Sequence, residues 1–127
     1  MASSSDTGRA RNVVLDTNAL LMPFEFSLNL DVELRGLLGD CEILIPASVL
    51  QELRRSKSKY ARAALELSRR YGVAETEKRG DDGVADVAVK FGAFVLTNDA
   101  DLRRRLRQMR IRTIHLRSRS HLVLDED

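Results

Sequence analysis

The chain has 127 residues, 43% of them hydrophobic and 31% charged, and a formal net charge of only +2. That length suits one domain with a real core, and the composition excludes the low-hydrophobicity, high-net-charge pattern of disordered chains. The single cysteine, Cys41, excludes an internal disulfide and a CxxC zinc site, and is expected to be a small core residue.

The opening "MASSSDTGRARN" lacks the apolar run of a signal peptide, and no later apolar run approaches the roughly 20 residues that span a bilayer. A cytoplasmic protein without a membrane partner is therefore expected, with residues 1–11 a flexible leader and the final "DED" mobile. Short β-rich runs at Val13 to Leu15, Glu42 to Ile45, Val73 to Glu75, Ala93 to Leu96 and Arg112 to Leu116 read as strands. Between them, Asp31 to Leu38 carries apolar residues at helical spacing. A second amphipathic stretch starts after Pro46 and continues through "YARAALELSRRYG" to a stop at Gly72. The segment "DDGVADVAVKFG" has acids at its start and Gly92 at its end, as a helix dipole prefers, and a last helix covers roughly Asp101 to Met109.

Alternation of short apolar strands with helices gives an α/β protein, a parallel sheet of about five strands covered by helices on both faces. Ligands of such sheets bind beyond the carboxyl ends of the strands, where the strand order reverses. Asp16 ends the first strand and Asp99 follows the fourth; a 3-2-1-4-5 order makes those strands neighbours and brings the two carboxylates together. Glu52, one turn into the helix after the second strand, and Asp82, at the start of the helix before the fourth, can join them. Asp86 lies one turn beyond Asp82 on the same helical face.

Carboxylates so gathered repel by about 4 kcal/mol per close pair at 4 Å and an effective dielectric of 20. Buried basic partners could offset that cost, but a hard divalent cation also does so and takes oxygen ligands, which favours Mg2+ or Mn2+, one ion or two. Such ions make hydroxide available near neutral pH and stabilise charge building on a phosphodiester, so hydrolysis of that bond is the implied reaction. Taken singly, each acid has a plainer explanation. Asp16, Asp81 and Asp99 suit helix N-caps, and Glu52 suits an exposed helix position.

Other chemistries fit less well. Only His115 and His121 are present, no serine stands in a nucleophile-elbow sequence, and "LDTNALLMPF" contains no glycine for a phosphate loop. A phosphoryl-transfer aspartate of the dehalogenase or receiver type lacks its second Asp, since Asn18 stands two residues after Asp16, and lacks a lysine after the last strand. Eight arginines against one acid between Asp101 and His121 point to a polyanionic partner. Aromatic base stacking is expected to be minor, with only two Tyr and four Phe.

The four segments "VVLDTNALL", "IPASVLQEL", "GDDGVADVAVKFG" and "FVLTNDADLRRRL", in this order, resemble the PIN-domain ribonucleases over nearly the whole chain. The resemblance implies a three-layer α/β/α sandwich, one PIN-like nuclease domain over residues 12–124, and metal-dependent endoribonuclease cleavage of single-stranded or exposed RNA. It makes Asp16, Glu52, Asp82 and Asp99 the metal-binding and catalytic acids, with Asn18 and Thr97 holding a carboxylate or water in place and Asp86 and Asp101 acting through water or through the local field. Asp81, adjacent to Asp82, competes with it for the third position, and Gly83 is a helix-weakening residue where the family has a small or aliphatic one. Arg54, Arg55, Lys57, Lys59, Arg103, Arg104, Arg105 and Arg107 are the expected RNA-binding residues. The basic end resembles archaeal and eukaryotic rRNA-processing nucleases more than toxin-type ones. Three settings stay open: rRNA processing or RNA quality control, with ribosome-assembly partners, a toxin with its antitoxin, and a non-catalytic RNA-binding or assembly module. The resemblance also suggests a homodimer.

Overall fold

A computed structural model describes residues 11–126. The expected leader, except for Arg11, and Asp127 of the tail lie outside the described residues. The elements, in chain order, are β1 (Arg11–Leu15), α1 (Thr17–Glu25), α2 (Leu30–Leu38), β2 (Cys41–Pro46), α3 (Ala47–Arg55), α4 (Ala61–Ser68), β3 (Gly72–Ala74), α5 (Gly80–Phe91), β4 (Phe94–Leu96), α6 (Ala100–Gln108), β5 (Thr113–Arg117) and β6 (His121–Leu124). No helix among the described residues is long and apolar enough to cross a membrane.

The strands form one sheet in the order β3-β2-β1-β4-β5-β6, parallel except for β6, which pairs antiparallel with β5. The chain steps from β1 outward to β3, crosses back to β4 and continues to β5. Right-handed crossovers therefore put the earlier and later helices on opposite faces. The order reverses between β1 and β4, and their register, Leu15 beside Leu96, sets Asp16 next to Thr97 at the carboxyl edge. Covering both faces buries Val13, Val14, Leu15, Ile45, Val95, Leu96 and Ile114 completely, which explains strands that are apolar throughout rather than at alternate positions.

Four local expectations are corrected. Helix α1 was not foreseen, because Pro23 inside it opposes a helix; Asp16 starts it by accepting the Ala19 N–H at 2.8 Å. The helix expected to run from Pro46 to Gly72 is broken at 56–60. There Ser56 Oγ accepts the Ser58 N–H and Ser58 Oγ the Tyr60 N–H, both at 3.1 Å, so local turns displace helical bonds. Strand β6 adds a sixth strand through a loop in which Ser118 and Arg119 take left-handed φ of 53° and 60°, so no Asn-Gly or Asp-Gly pair advertised the hairpin.

The fourth correction concerns the tail. Asp125 is not loose: its N–H donates to Thr113 O at 2.9 Å and its carboxylate accepts the Thr113 hydroxyl at 2.6 Å. Arg103 Nε at 3.3 Å and His115 Nδ1 at 2.9 Å lie beside the same carboxylate. Neither nitrogen has an acceptor in line, so both contacts are electrostatic rather than aligned hydrogen bonds. Arg103 also donates to Asn98 O at 3.1 Å, tying the tail to the loop that carries Asp99. Asp125→Ala is expected to lose about 2 kcal/mol of stability, because the Thr113 hydroxyl loses its acceptor and the largely buried Arg103 its counter-charge; urea denaturation measures it.

Candidate active site

Asp16 is 8% exposed. Its position at the junction of β1 and α1 makes it an N-cap, with Oδ1 taking the Ala19 N–H, while Oδ2 accepts the hydroxyl of Thr97, itself fully buried. Thr97 Oγ1 also accepts the Asp99 N–H at 3.1 Å, so one hydroxyl couples the ends of β1 and β4. Burial pushes the Asp16 carboxyl up from 3.8 to about 6; the bonds from Thr97 and Ala19 oppose the shift, and the charges of Asp81 and Asp99 add to it.

Asp99 caps α6 through Oδ1 and the Leu102 N–H at 3.0 Å. Glu52 Oε1 accepts the Thr17 hydroxyl at 2.8 Å, which joins α3 to the first turn of α1. Asp81, in the first turn of α5, is the acid of that helix that feels the cluster. Partial desolvation raises its carboxyl, the negative charges of Asp99, Glu52 and Asp82 add to the rise, and Arg105 opposes it. The acids of α1, α3, α5 and α6 thus meet at one edge of the sheet, as the strand order requires.

The structure does not bring every expected residue there. Asp82 is ion-paired with Arg105 at 2.7 Å and turned toward a groove shared with Lys78, Arg79 and Asp86. Asp86 accepts the Thr76 hydroxyl at 2.8 Å and pairs with Lys90 at 3.1 Å; these contacts, Thr76 first, hold its carboxyl below the usual range. Asp82 and Asp86 do share a face, but the buried stripe of α5, Val84, Ala85 and Ala88, continues into Asp81 instead. Asp101 pairs with Arg104 on the exposed side of α6, and Asn18 is exposed and makes no side-chain hydrogen bond among the described residues. Thr17, whose hydroxyl orients Glu52, was missed; its place beside Asp16 was the available signal.

Gly83 explains how α5 reaches the cluster. A Cβ there would stand 2.5 Å from Ser48 Oγ and 2.8 Å from the Lys78 carbonyl oxygen. The missing side chain lets the start of α5 touch the start of α3, which carries Glu52. Gly83→Ala is expected to destabilise by about 1 to 3 kcal/mol, since the backbone contact cannot rotate away. Thermal melts against the parent chain measure it.

The basic residues divide into used and unused. Arg103 serves the tail, Arg104 pairs with Asp101 and Arg105 with Asp82. Arg54, Arg55, Lys57, Lys59 and Arg107 are exposed and meet no carboxylate among the described residues; Lys59 lies over the Tyr60 ring at 5.2 Å.

Among the described residues, no three His, Cys, Asp or Glu side chains are gathered tightly enough to form a coordination shell as they stand. Asp16, Asp99 and Glu52 instead each lean on a local donor. The donor set still suits a hard divalent cation. It is all carboxylate oxygen, and Asp99 Oδ2, Glu52 Oε2 and both oxygens of Asp81 accept no hydrogen bond among the described residues.

Residues 13–119 match the family described as "PIN like domain". The chain is 34% identical over 131 aligned positions to Ribonuclease VapC9 of Archaeoglobus fulgidus, covering 95% of this chain and 96% of that protein. Among solved structures it resembles the PIN domain endonuclease Utp24, with a TM-score of 0.77 at 20% identity and 90% of each chain covered. It also resembles a domain of a functionally unknown protein from Methanocaldococcus jannaschii, with a TM-score of 0.59 at 20% identity, covering 93% and 96%. Both structural matches share the fold. The sheet, its reversal between β1 and β4, and the family match agree: this chain belongs to the PIN-like domain family that its four motifs resemble.

Proposed function

We propose that the protein is an endoribonuclease in which Asp16, Glu52, Asp81 and Asp99 hold Mg2+ or Mn2+. A divalent cation bound there would activate water and neutralise charge developing on the scissile phosphate. The observation that carries this reading is the placement of Asp16, buried at the end of β1 and joined through the Thr97 hydroxyl to the Asp99 backbone, at the sheet edge where α/β proteins bind ligands; burial there pushes its carboxyl up, and the charges of Asp81 and Asp99 add to the rise. The relative named a ribonuclease supports RNA as the polymer. The likeness to Utp24 concerns fold and does not select a particular RNA.

The chain's own residues have distinct tasks. Thr97 fixes the rotamer of Asp16 and holds the Asp99 backbone against it, and Thr17 fixes Glu52. Such supports matter because a misplacement of about 1 Å costs on the order of 100-fold in rate. Arg105 keeps Asp82 turned away and lowers the repulsion felt by Asp81.

Purified protein incubated with single-stranded RNA should cleave internally with Mn2+ and stop with EDTA, and Asp16→Asn should be inactive in both. Cleavage that persists in EDTA overturns the metal-dependent reading. Metal uptake and RNA binding without cleavage under any condition would leave an RNA-binding module of the same fold.

A further inference from the structure

Helices α5 and α6 both start at the acidic edge of the sheet and end at the opposite one, where Phe91 and Gln108 precede the starts of β4 and β5. Three open grooves run into one another along them. The first holds Lys78, Arg79, Asp82 and Arg105, and Arg105 also acts on Asp81 of the acid cluster. Val89 and Met109 line both it and the second, which passes over Phe94; Arg110, Ile111 and Arg112 line both the second and the third, which ends at Arg104 and Arg107. Their volumes are about 530, 440 and 660 Å³. The nine residues of α6 span about 14 Å at 1.5 Å each, so Gln108 at the far end of the track stands well away from Asp99 at the start of the helix.

The track changes character along its length. Its middle is apolar and open, with Val89 60% and Met109 42% exposed. Its far end is basic. Arg107, Arg110 and Arg112 meet no carboxylate among the described residues, whereas the neighbouring Arg103, Arg104 and Arg105 are each ion-paired. Arg112 lies 5.4 Å from the Phe94 ring centroid and Arg11 lies 5.9 Å from it, so the ring orders two guanidinium groups and leaves their N–H edges for an acceptor. Arg110 has a left-handed φ of 65°, where the backbone favours Gly or Asn.

We propose that this track is the path of a single RNA strand leaving the cleavage site, with bases over Val89 and Met109 and phosphates on Arg107, Arg110 and Arg112. The inference rests on the endoribonuclease reading and extends it. An acidic amphipathic peptide would also match apolar and basic surface, but the near end of the track holds Arg105, whose charge acts on Asp81 of the acid cluster, and basic residues at both ends suit a phosphate polymer. Guanidinium groups hold phosphates by paired N–H donors, and a strand's flat bases tolerate an apolar floor without sequence preference.

The test compares the parent chain with Arg107→Gln/Arg110→Gln/Arg112→Gln and, separately, with Val89→Glu, a change at an exposed position that leaves the arginines intact. Labelled single-stranded RNA is titrated by fluorescence anisotropy across a salt series, and Mn2+-supported cleavage is measured on a tetranucleotide and on a much longer oligonucleotide. Losing three phosphate contacts should make the slope of log K against log salt shallower by about two, at about 0.7 per contact for single strands. KM for the long RNA should rise at least tenfold with kcat unchanged, the tetranucleotide should be cut as before, and Val89→Glu should raise KM for the long RNA alone. An unchanged slope, or equal losses on both lengths, overturns the track. So does loss of polyglutamate binding with RNA binding intact, which would assign the surface to an acidic peptide. A parent chain that cuts neither RNA defeats the endoribonuclease reading instead, and the salt slope still decides the track.

Discussion

Asp16→Asn should melt at a higher temperature than the parent chain at pH 7 in EDTA, by about 5 to 10 °C, and lose that advantage near pH 4. The Asp16 carboxyl titrates at about 6 in the folded chain, against an ordinary value of 3.8. The folded state thus binds the proton more tightly than the unfolded state. The stabilisation from that proton is complete below 3.8 and is lost as pH rises through 6. A shift of this size corresponds to about 3 kcal/mol against the ionised form. Asparagine removes that charge yet still caps α1, because its amide oxygen can accept the Ala19 N–H and its nitrogen can donate to Thr97. Asp16→Ala, which loses the cap and orphans the Thr97 hydroxyl, should melt lower than Asn at every pH. Thermal melts of the three chains from pH 4 to pH 8 measure the effect. A fall for Asn at pH 7 would mean that the carboxylate is held for capping alone.

Asp81→Asn should reduce Mn2+-dependent RNA cleavage by at least about 100-fold, the upper range for lost outer-sphere support, whereas Asp82→Asn should stay close to the parent. Asp81 is coupled to Asp16, Asp99 and Glu52, and Asp82 is held by Arg105. Removing the Asp82 charge frees Arg105, so a modest rise in KM for metal is the expected secondary effect. Initial rates at several Mn2+ concentrations separate the two. The reverse order of losses would return the site to Asp82.

The two predictions also mark where the sequence was legible. Asp16 and Asp99 could be placed together because apolar strands joined by helices allow few topologies, and each acid follows a strand directly. The reversal between β1 and β4 then does the rest. They are helix caps as well as neighbours, so the plainer explanation and the functional one describe the same carboxylates. Helical phase was harder. From Asp82, the positions Ala85, Asp86 and Val89 share a face as expected, but Val89 is 60% exposed and that face looks into the α5–α6 groove. The fully buried Val87 and the nearly buried Val84 and Ala88 fix the rotation of α5, and only packing reveals which apolar stripe wins.

The parts that were not legible share a cause. Ser118 and Arg119 adopt left-handed backbone without Gly, and Ser56 and Ser58 end a helix by side-chain bonds that compete with its own. Asp125 is fixed by Thr113, Arg103 and His115, partners drawn from β5 and α6. Each depends on contacts that a periodic pattern does not carry. The same holds for the arginines: counting them along the sequence showed a basic end, but only side-chain pairing separates Arg103, Arg104 and Arg105 from Arg107, Arg110 and Arg112.

The shared cation is the centre of this account, and titration calorimetry with Mn2+ at pH 6 tests it most directly. At that pH about half of the Asp16 carboxyls are protonated, so binding should release protons and the apparent heat should vary with the ionisation heat of the buffer. Asp16→Asn and Asp81→Asn should abolish uptake, and Asp82→Asn should retain it. No heat from the parent chain, or uptake unaffected by removing Asp16 and Asp81, would contradict the account.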